Sequence, residues 1–464
     1  MTGQFSLTSW VRWLRQRAES SGGSRFSKIA RSVTSLGLAR IVAMVVPFVT
    51  IPLALRHLDA ERFGLWMAAT SFMAVLSLAD GGISNSLVTS VAASEARGDR
   101  FAVRQLLTNA AMVVGLVSLA LLPVGAAIAW GVDWRVVFSL RTARAVAEAP
   151  WIVFLVLAST ALNLWVNVFV RLRYGLQRIV HASLWELIAL ASSLPAFFLC
   201  LSLDQGTPAL VFTLAVLPAF VRGLGGWVFL RGEADLWPQR KLLSRTVQKG
   251  LLGAGSMYLL LEVAVALSVT SDQFFIASLV SAEAVPPYTV FNRLYSLPFV
   301  LVGLVFQTLW PAYARAAVHG EFAWIRRSFF TSLAMAGGFA LVAALFLSAT
   351  HPWVTRLWLG KALVPTAWLV PGMAIYCVVA VLELGGRNLL YSLDRRRALI
   401  LLSLTMMVVN VALKLVLLPH MGAAGAIIAT DIALFFCMVV PYMWLAKNIV
   451  PIPSSNGSPV ESDK

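Results

Sequence analysis

The chain has 464 residues, of which 59% are hydrophobic and only 12% charged, with a formal net charge of +16. A soluble domain carries about 25% charged residues, and here the deficit runs along the whole chain, which excludes an ordinary soluble globular protein. The 3 cysteines all fall in apolar stretches and leave no disulfide frame, and the 5 scattered histidines show no metal-ligand spacing.

A membrane-crossing helix needs about 20 mostly apolar residues, because each residue rises about 1.5 Å against a hydrocarbon core of about 30 Å. Stretches of that kind recur from Ser32 to Ala446. They are continuous and do not alternate with period two, which predicts helices and not a strand barrel. Segment 1–25 is basic and carries Trp10, Arg12, Trp13 and Arg15. It lacks the apolar core of a signal peptide and reads as a cytoplasmic segment, either lying on the membrane surface or forming a plain tail. Spans are then predicted over 32–55, 64–91, 106–130, 151–170, 181–203 and 207–230, which make a first lobe of 26–230. A cytoplasmic linker follows over 231–247. The spans 251–280, 288–312, 328–350, 365–391, 398–418 and 422–446 make a second lobe of 248–446. Residues 447–464 are rich in Pro, Ser and Gly and read as a disordered cytoplasmic tail.

Charge sets the expected orientation. With both termini in the cytoplasm, 25 of the 37 Lys and Arg residues lie in cytoplasmic segments and 7 in external loops. The reverse orientation would invert the positive-inside rule. The basic balance is therefore a topology signal, and no nucleic-acid partner is expected. The longest loops, 131–150 and 231–250, are too short for a folded catalytic domain, which needs about 50 residues. No glycine-rich phosphate loop is present. An enzyme is not expected, nor a metal or a cofactor.

An internal repeat relates the lobes. The sequence from Tyr174 to Arg178 returns from Tyr391 to Arg395. Ala96 to Ala102 returns as Ala317 to Ala323. Gly206 and Gly422 each open a sixth span. Each lobe has an even number of spans, so the two share one orientation and are related by an axis along the membrane normal.

Several segments carry a resemblance. They are Phe26 to Ala30 before the first span, Phe63-Gly64-Leu65-Trp66, and Leu78 to Asn85 with Asp80. Ser271-Asp272 to Ile276 in the seventh span and Gly422 to Thr430 in the twelfth continue it. Over about Phe26 to Ala446 the chain resembles the oligosaccharide (polysaccharide biosynthesis, O-antigen-type) flippases of the multidrug/oligosaccharidyl-lipid/polysaccharide exporter superfamily. The resemblance implies an all-α polytopic membrane protein of about 12 helices in two pseudo-symmetric six-helix lobes, a V-shaped transporter. It implies transport of an undecaprenyl-diphosphate-linked oligosaccharide across the bacterial cytoplasmic (inner) membrane by alternating access. Partners implied are the lipid-linked oligosaccharide, membrane lipids, and polysaccharide polymerase and assembly proteins. The chain stops at twelve spans, whereas lipid II flippases carry two more. The alternatives are a cation or drug antiporter of the same fold and a membrane-embedded enzyme of envelope glycan assembly.

Ionisable groups inside spans cost about 2.5–3.5 kcal/mol each on insertion scales, so they face a cavity or a partner. The cations are Arg40, Arg222, Arg293, Arg387 and Lys414; the anions are Asp80, Glu186, Glu262, Asp272, Glu383 and Asp431. Counting depth along antiparallel hairpins pairs Arg40 with Asp80, Asp272 with Arg293, and Glu186 with Arg222. It lets Asn410 bond to Asp431 and leaves Lys414 snorkelling to the external face. A diphosphate head group calls for Arg, which binds it through paired hydrogen bonds; Arg40 and Arg293 are the first candidates. Asn163, Asn167 and Arg171, spaced by four, form a polar stripe on one helix face. Its counterpart in the second lobe is Glu383, Arg387 and Asn388, and Asn85 joins the head-group set. The bland reading of each stripe is helix packing plus an anchoring charge. Asp80, Glu262 and Asp272 are candidates for ion coupling.

Overall fold

A computed structural model describes residues 42–43, 45–76, 82–360, 363, 365–393 and 395–448. The described residues are almost entirely helical and contain no strand. The helices are α1 (Val45–His57), α2 (Ala60–Leu76), α3 (Ile83–Ala96), α4 (Arg100–Gly131), a short α5 (Trp134–Val137), α6 (Ala143–Gly175), α7 (Ile179–Ser202) and α8 (Thr207–Gly232). They continue as α9 (Arg245–Val265), α10 (Asp272–Leu279), α11 (Val285–Tyr295), α12 (Leu297–Val318), α13 (Phe322–Leu359), α14 (Leu369–Ser392), α15 (Arg396–Met421) and α16 (Ala423–Lys447). Eight of them are each long and apolar enough to cross a bilayer unbroken. Three of the other predicted spans are crossed by broken helices. The second is split between α2 and α3, the seventh between α9 and α10, and the eighth between α11 and α12. About twelve crossings result.

Each break has a local cause. At Gly82, which precedes α3, φ is 74°, and a Cβ there would lie 2.2 Å from the Gly255 carbonyl oxygen. Only glycine meets both demands. Between α9 and α10 the backbone widens into a π turn over Ala266–Thr270 and stops at Ser271. Between α11 and α12 it stops at Ser296, two residues before Pro298, which has no N–H to continue the ladder. Inside α8 and α16 two further π turns, Phe212–Val216 and Phe435–Val439, each end one residue before a Leu-Pro or Val-Pro pair, with Pro218 and Pro441 as the prolines. A proline removes the N–H that would close the usual four-residue ring, and the helix relaxes into a wider one.

The repeat is visible in the backbone of the turns. The Arg178 N–H bonds to the Arg173 carbonyl at 2.7 Å, and the Arg395 N–H to the Leu390 carbonyl at 3.0 Å. The second match shifts by one residue. Gly98 (φ 71°) corresponds to Gly320 (φ 72°), and both turns return the next N–H to the carbonyl five residues back, Asp99 to Ser94 and Glu321 to Ala316. The sequence alignment had set Gly98 against His319.

The chain forms two compact units. The first comprises the described residues up to Leu58, with Leu76–Val132 and Ala147–Leu259. The second comprises Asp59–Val75, Asp133–Val146 and the described residues from Leu260 onward. The first is built on a core of Leu87, Val91, Leu107, Leu164, Leu172 and Leu251. The second has a core that includes Val379, Leu399, Met406, Leu434 and Tyr442. Outward faces of the long helices expose large apolar side chains, such as Met335, Val342 and Leu345 on α13, as a lipid-facing surface does.

Candidate functional site

The second unit holds a buried polar network on α10, α11, α14, α15 and α16. The Lys414 side chain on α15 has no exposed surface and ion-pairs with Asp272 at the head of α10. Its ammonium also donates to the Ser268 carbonyl, which belongs to the π turn just before α10. The widened turn aims this carbonyl at the ammonium. The Phe275 ring lies 5.5 Å from the same nitrogen. Tyr288 of α11 donates its phenol proton to the other Asp272 oxygen. One turn before Lys414, Asn410 is fully buried and donates to the Thr430 hydroxyl at 3.0 Å. Beside Thr430, Asp431 is 6% exposed, and neither of its carboxylate oxygens has a hydrogen-bond donor among the described residues. On α14, Glu383 pairs with Arg387 at 3.2 Å, one helical turn apart. Tyr376 lies two turns earlier on that helix and lines the same cavity as Glu383 and Arg387. A cavity of about 250 Å³ opens among these groups, lined by Ser268, Tyr376, Glu383, Arg387 and Ser403 with apolar neighbours.

The first unit holds a smaller cluster. Arg222 on α8 reaches Glu186 on α7 at 3.5 Å and donates to the Asn163 side-chain oxygen on α6. The Asn163 amide in turn donates to the Ser159 carbonyl at 2.8 Å. Toward the end of α6, Arg173 has no exposed surface; it donates to the Phe169 carbonyl at 3.2 Å and contacts the His181 ring at 3.3 Å.

The expected pairs divide accordingly. Glu186 does meet Arg222. Asp272 does not meet Arg293: of the residues on its hairpin neighbour α11 it is Tyr288 that bonds to it, and Lys414 of α15 supplies the cation. Lys414 does not snorkel. Asn410 bonds to Thr430 and not to Asp431. Arg40 and Asp80 lie outside the described residues, and Asn85 on α3 and Glu262 on α9 have side chains outside them.

Among the candidate head-group residues, Asn163, Arg387 and Asn388 already spend polar groups on protein partners. Asn167, Arg171 and Arg293 are partly exposed and have no hydrogen bond or ion pair among the described residues. Sequence reasoning passed over Arg173 as one more cytoplasmic charge. It also passed over Asn109, fully buried in α4, which fastens the 231–247 linker. Asn109 donates to the Leu242 carbonyl at 2.9 Å and accepts from the Ser244 N–H at 2.8 Å.

The same helical fold is known in solved transporters. An inward-facing multidrug resistance MATE family transporter of the MOP superfamily superposes with a TM-score of 0.67 at 16% identity, over 86% of this chain and 97% of that one. The lipid II flippase MurJ in an inward closed conformation gives 0.63 at 12% identity, over 89% and 87%. A MOP superfamily transporter from Pyrococcus furiosus gives 0.56 at 12% identity, over 91% and 96%. The chain thus has the fold of the MOP superfamily transporters. A sequence profile of the polysaccharide biosynthesis protein family matches residues 29–317, and the chain belongs to that family. No curated protein matches it.

Proposed function

We propose that this protein moves an undecaprenyl-diphosphate-linked oligosaccharide across the bacterial cytoplasmic membrane by alternating access, for surface polysaccharide assembly. The observation that carries the reading is the family match over residues 29–317 on a chain with the MOP transporter fold. The lobes of 26–230 and 248–446 are the proposed moving bodies, joined by the linker 231–247. Arg293 supplies the clearest head-group contact, because a membrane-embedded guanidinium without a protein carboxylate is matched to an anionic ligand. Arg40 is its proposed counterpart in the first lobe, with Asn85, Asn167 and Arg171 completing the polar lining. Asn163, Arg387 and Asn388 serve it indirectly, since their side chains are held by the protein. No catalytic step and no cofactor belong to this reading. Polymerase and assembly proteins are its expected partners.

Reconstitution in liposomes tests it. Purified protein should change the sidedness of a labelled undecaprenyl-diphosphate sugar, and replacing both Arg40 and Arg293 by Gln should slow that change at least tenfold while the protein stays folded. Export of a cationic dye with no change in the lipid's sidedness would overturn the proposal in favour of an antiporter.

A further inference from the structure

Among the described residues, the network of the second unit is one positive charge short. It contains three buried carboxylates, Asp272, Glu383 and Asp431, and two cations matched to them, Lys414 with Asp272 and Arg387 with Glu383. Asp431 is left over. It lies eight residues into α16 from Ala423, about 12 Å from that helix end, and so near the centre of a bilayer about 30 Å thick. An unpaired carboxylate at that depth is strongly disfavoured in its charged form.

The groups facing Asp431 decide what neutralises it. From α10 comes Asp272, and from α11 Tyr288, both electrostatically coupled to it. From α14 comes Tyr376, backed by Glu383 and Arg387. From α15, Asn410 bonds to Thr430, the residue beside Asp431, and Lys414 reaches the group through Asp272, the carboxylate it pairs with. The remaining charge on α11, Arg293, has no ion-pair partner among the described residues. An alkali cation needs several oxygen ligands. The Asp272 carboxylate and the Ser268 carbonyl are already filled by the Lys414 ammonium, which leaves the Asn410 side-chain oxygen as the other buried oxygen without a donor on α15 and α16 among the described residues. A proton needs one oxygen.

We propose that Asp431 is a proton-carrying site, protonated at neutral pH in the conformation seen here, and that Lys414 is the tethered cation it works against. When the proton leaves Asp431 for water, the new carboxylate competes with Asp272 for the single ammonium. Drawing Lys414 away frees the Ser268 carbonyl and loosens the junction of α10 with α15 and α16. Proton release is thereby linked to a rearrangement of the broken seventh span.

Infrared spectroscopy of the purified full-length protein tests the site without any transport assay. The wild type at pH 7 should show the carbonyl stretch of a protonated carboxylic acid, and Asp431→Asn should lose one such band per chain. If Asp431→Asn does not fold, Asp431→Glu should move that band in frequency. A wild type without the band, or a band unmoved by either variant, overturns the proposal. A band removed by sodium, with radioactive sodium bound in wild type and not in Asp431→Asn, overturns it in favour of an alkali-cation site. The transport consequence rests on the proposed function. A pH gradient should drive lipid transport in wild-type liposomes, and at least tenfold less in Asp431→Asn. Failure of the wild type to transport the lipid at all would count against the flippase reading and leave the infrared result to judge the proton site.

Discussion

Lys414 has no exposed surface, and its position is tolerable only because Asp272 and the Ser268 carbonyl receive its charge. Removing one partner of a buried pair leaves the other uncompensated and costs about 3–5 kcal/mol. Lys414→Met should therefore lower the thermal unfolding temperature in detergent sharply. Adding Asp272→Asn should recover much of the loss, since a neutral pair of similar volume is often tolerated; a double variant no more stable than the single one would show that the pair is not the cause. Asn109 makes a second case. Asn109→Ala strands the Leu242 carbonyl and the Ser244 N–H, at about 1–3 kcal/mol for a buried unpaired group. Limited proteolysis should then cut within 231–247 faster than in the wild type. The charged residues themselves were legible in the sequence, because any ionisable group in an apolar run stands out. Their partners were legible only between adjacent helices, as for Glu186 and Arg222. Depth counting compares hairpin neighbours, and Lys414 reaches Asp272 from a helix 142 positions further on.

The elements were legible as spans and not as shapes. Hydrophobic runs located the crossings, but a run of apolar residues looks the same whether its helix is straight or broken. Gly82 and Gly98 show what such a reading lacks. Both have φ above 70°, and alanine in that region costs roughly 1–2 kcal/mol. Around Gly98 nothing lies within 4 Å of an added Cβ, whereas at Gly82 the Cβ would meet the Gly255 carbonyl at 2.2 Å. Gly98→Ala should therefore lower stability by only about 1–2 kcal/mol, while Gly82→Ala should reduce the folded fraction on size exclusion far more. Equal effects would mean that the close approach of Gly255 is unimportant. The π turns teach the same lesson. Pro218 and Pro441 each stand two residues after a π turn, the first as the twelfth residue of α8 and the second as the nineteenth of α16, and an apolar run shows neither distortion.

For the whole molecule, orientation rests on the distribution of charge. With 25 Lys and Arg residues assigned to one side and 7 to the other, the positive-inside rule predicts that the 231–247 linker is cytoplasmic and the 131–150 loop external. The linker joins α8 to α9 and the 131–150 loop joins α4 to α6, so the three crossings between them, α6, α7 and α8, require opposite faces for the two. Arg135 and Arg240 are exposed in these segments. In a background with Cys200, Cys377 and Cys437 replaced by serine, a membrane-impermeant maleimide should label Arg135→Cys in intact cells. It should label Arg240→Cys only after the membrane is opened. The reverse pattern would invert the molecule and place the basic surface outside. The Arg100 cluster with Glu95, Glu233 and Asp235 would then face away from the leaflet on which a lipid-linked sugar is assembled.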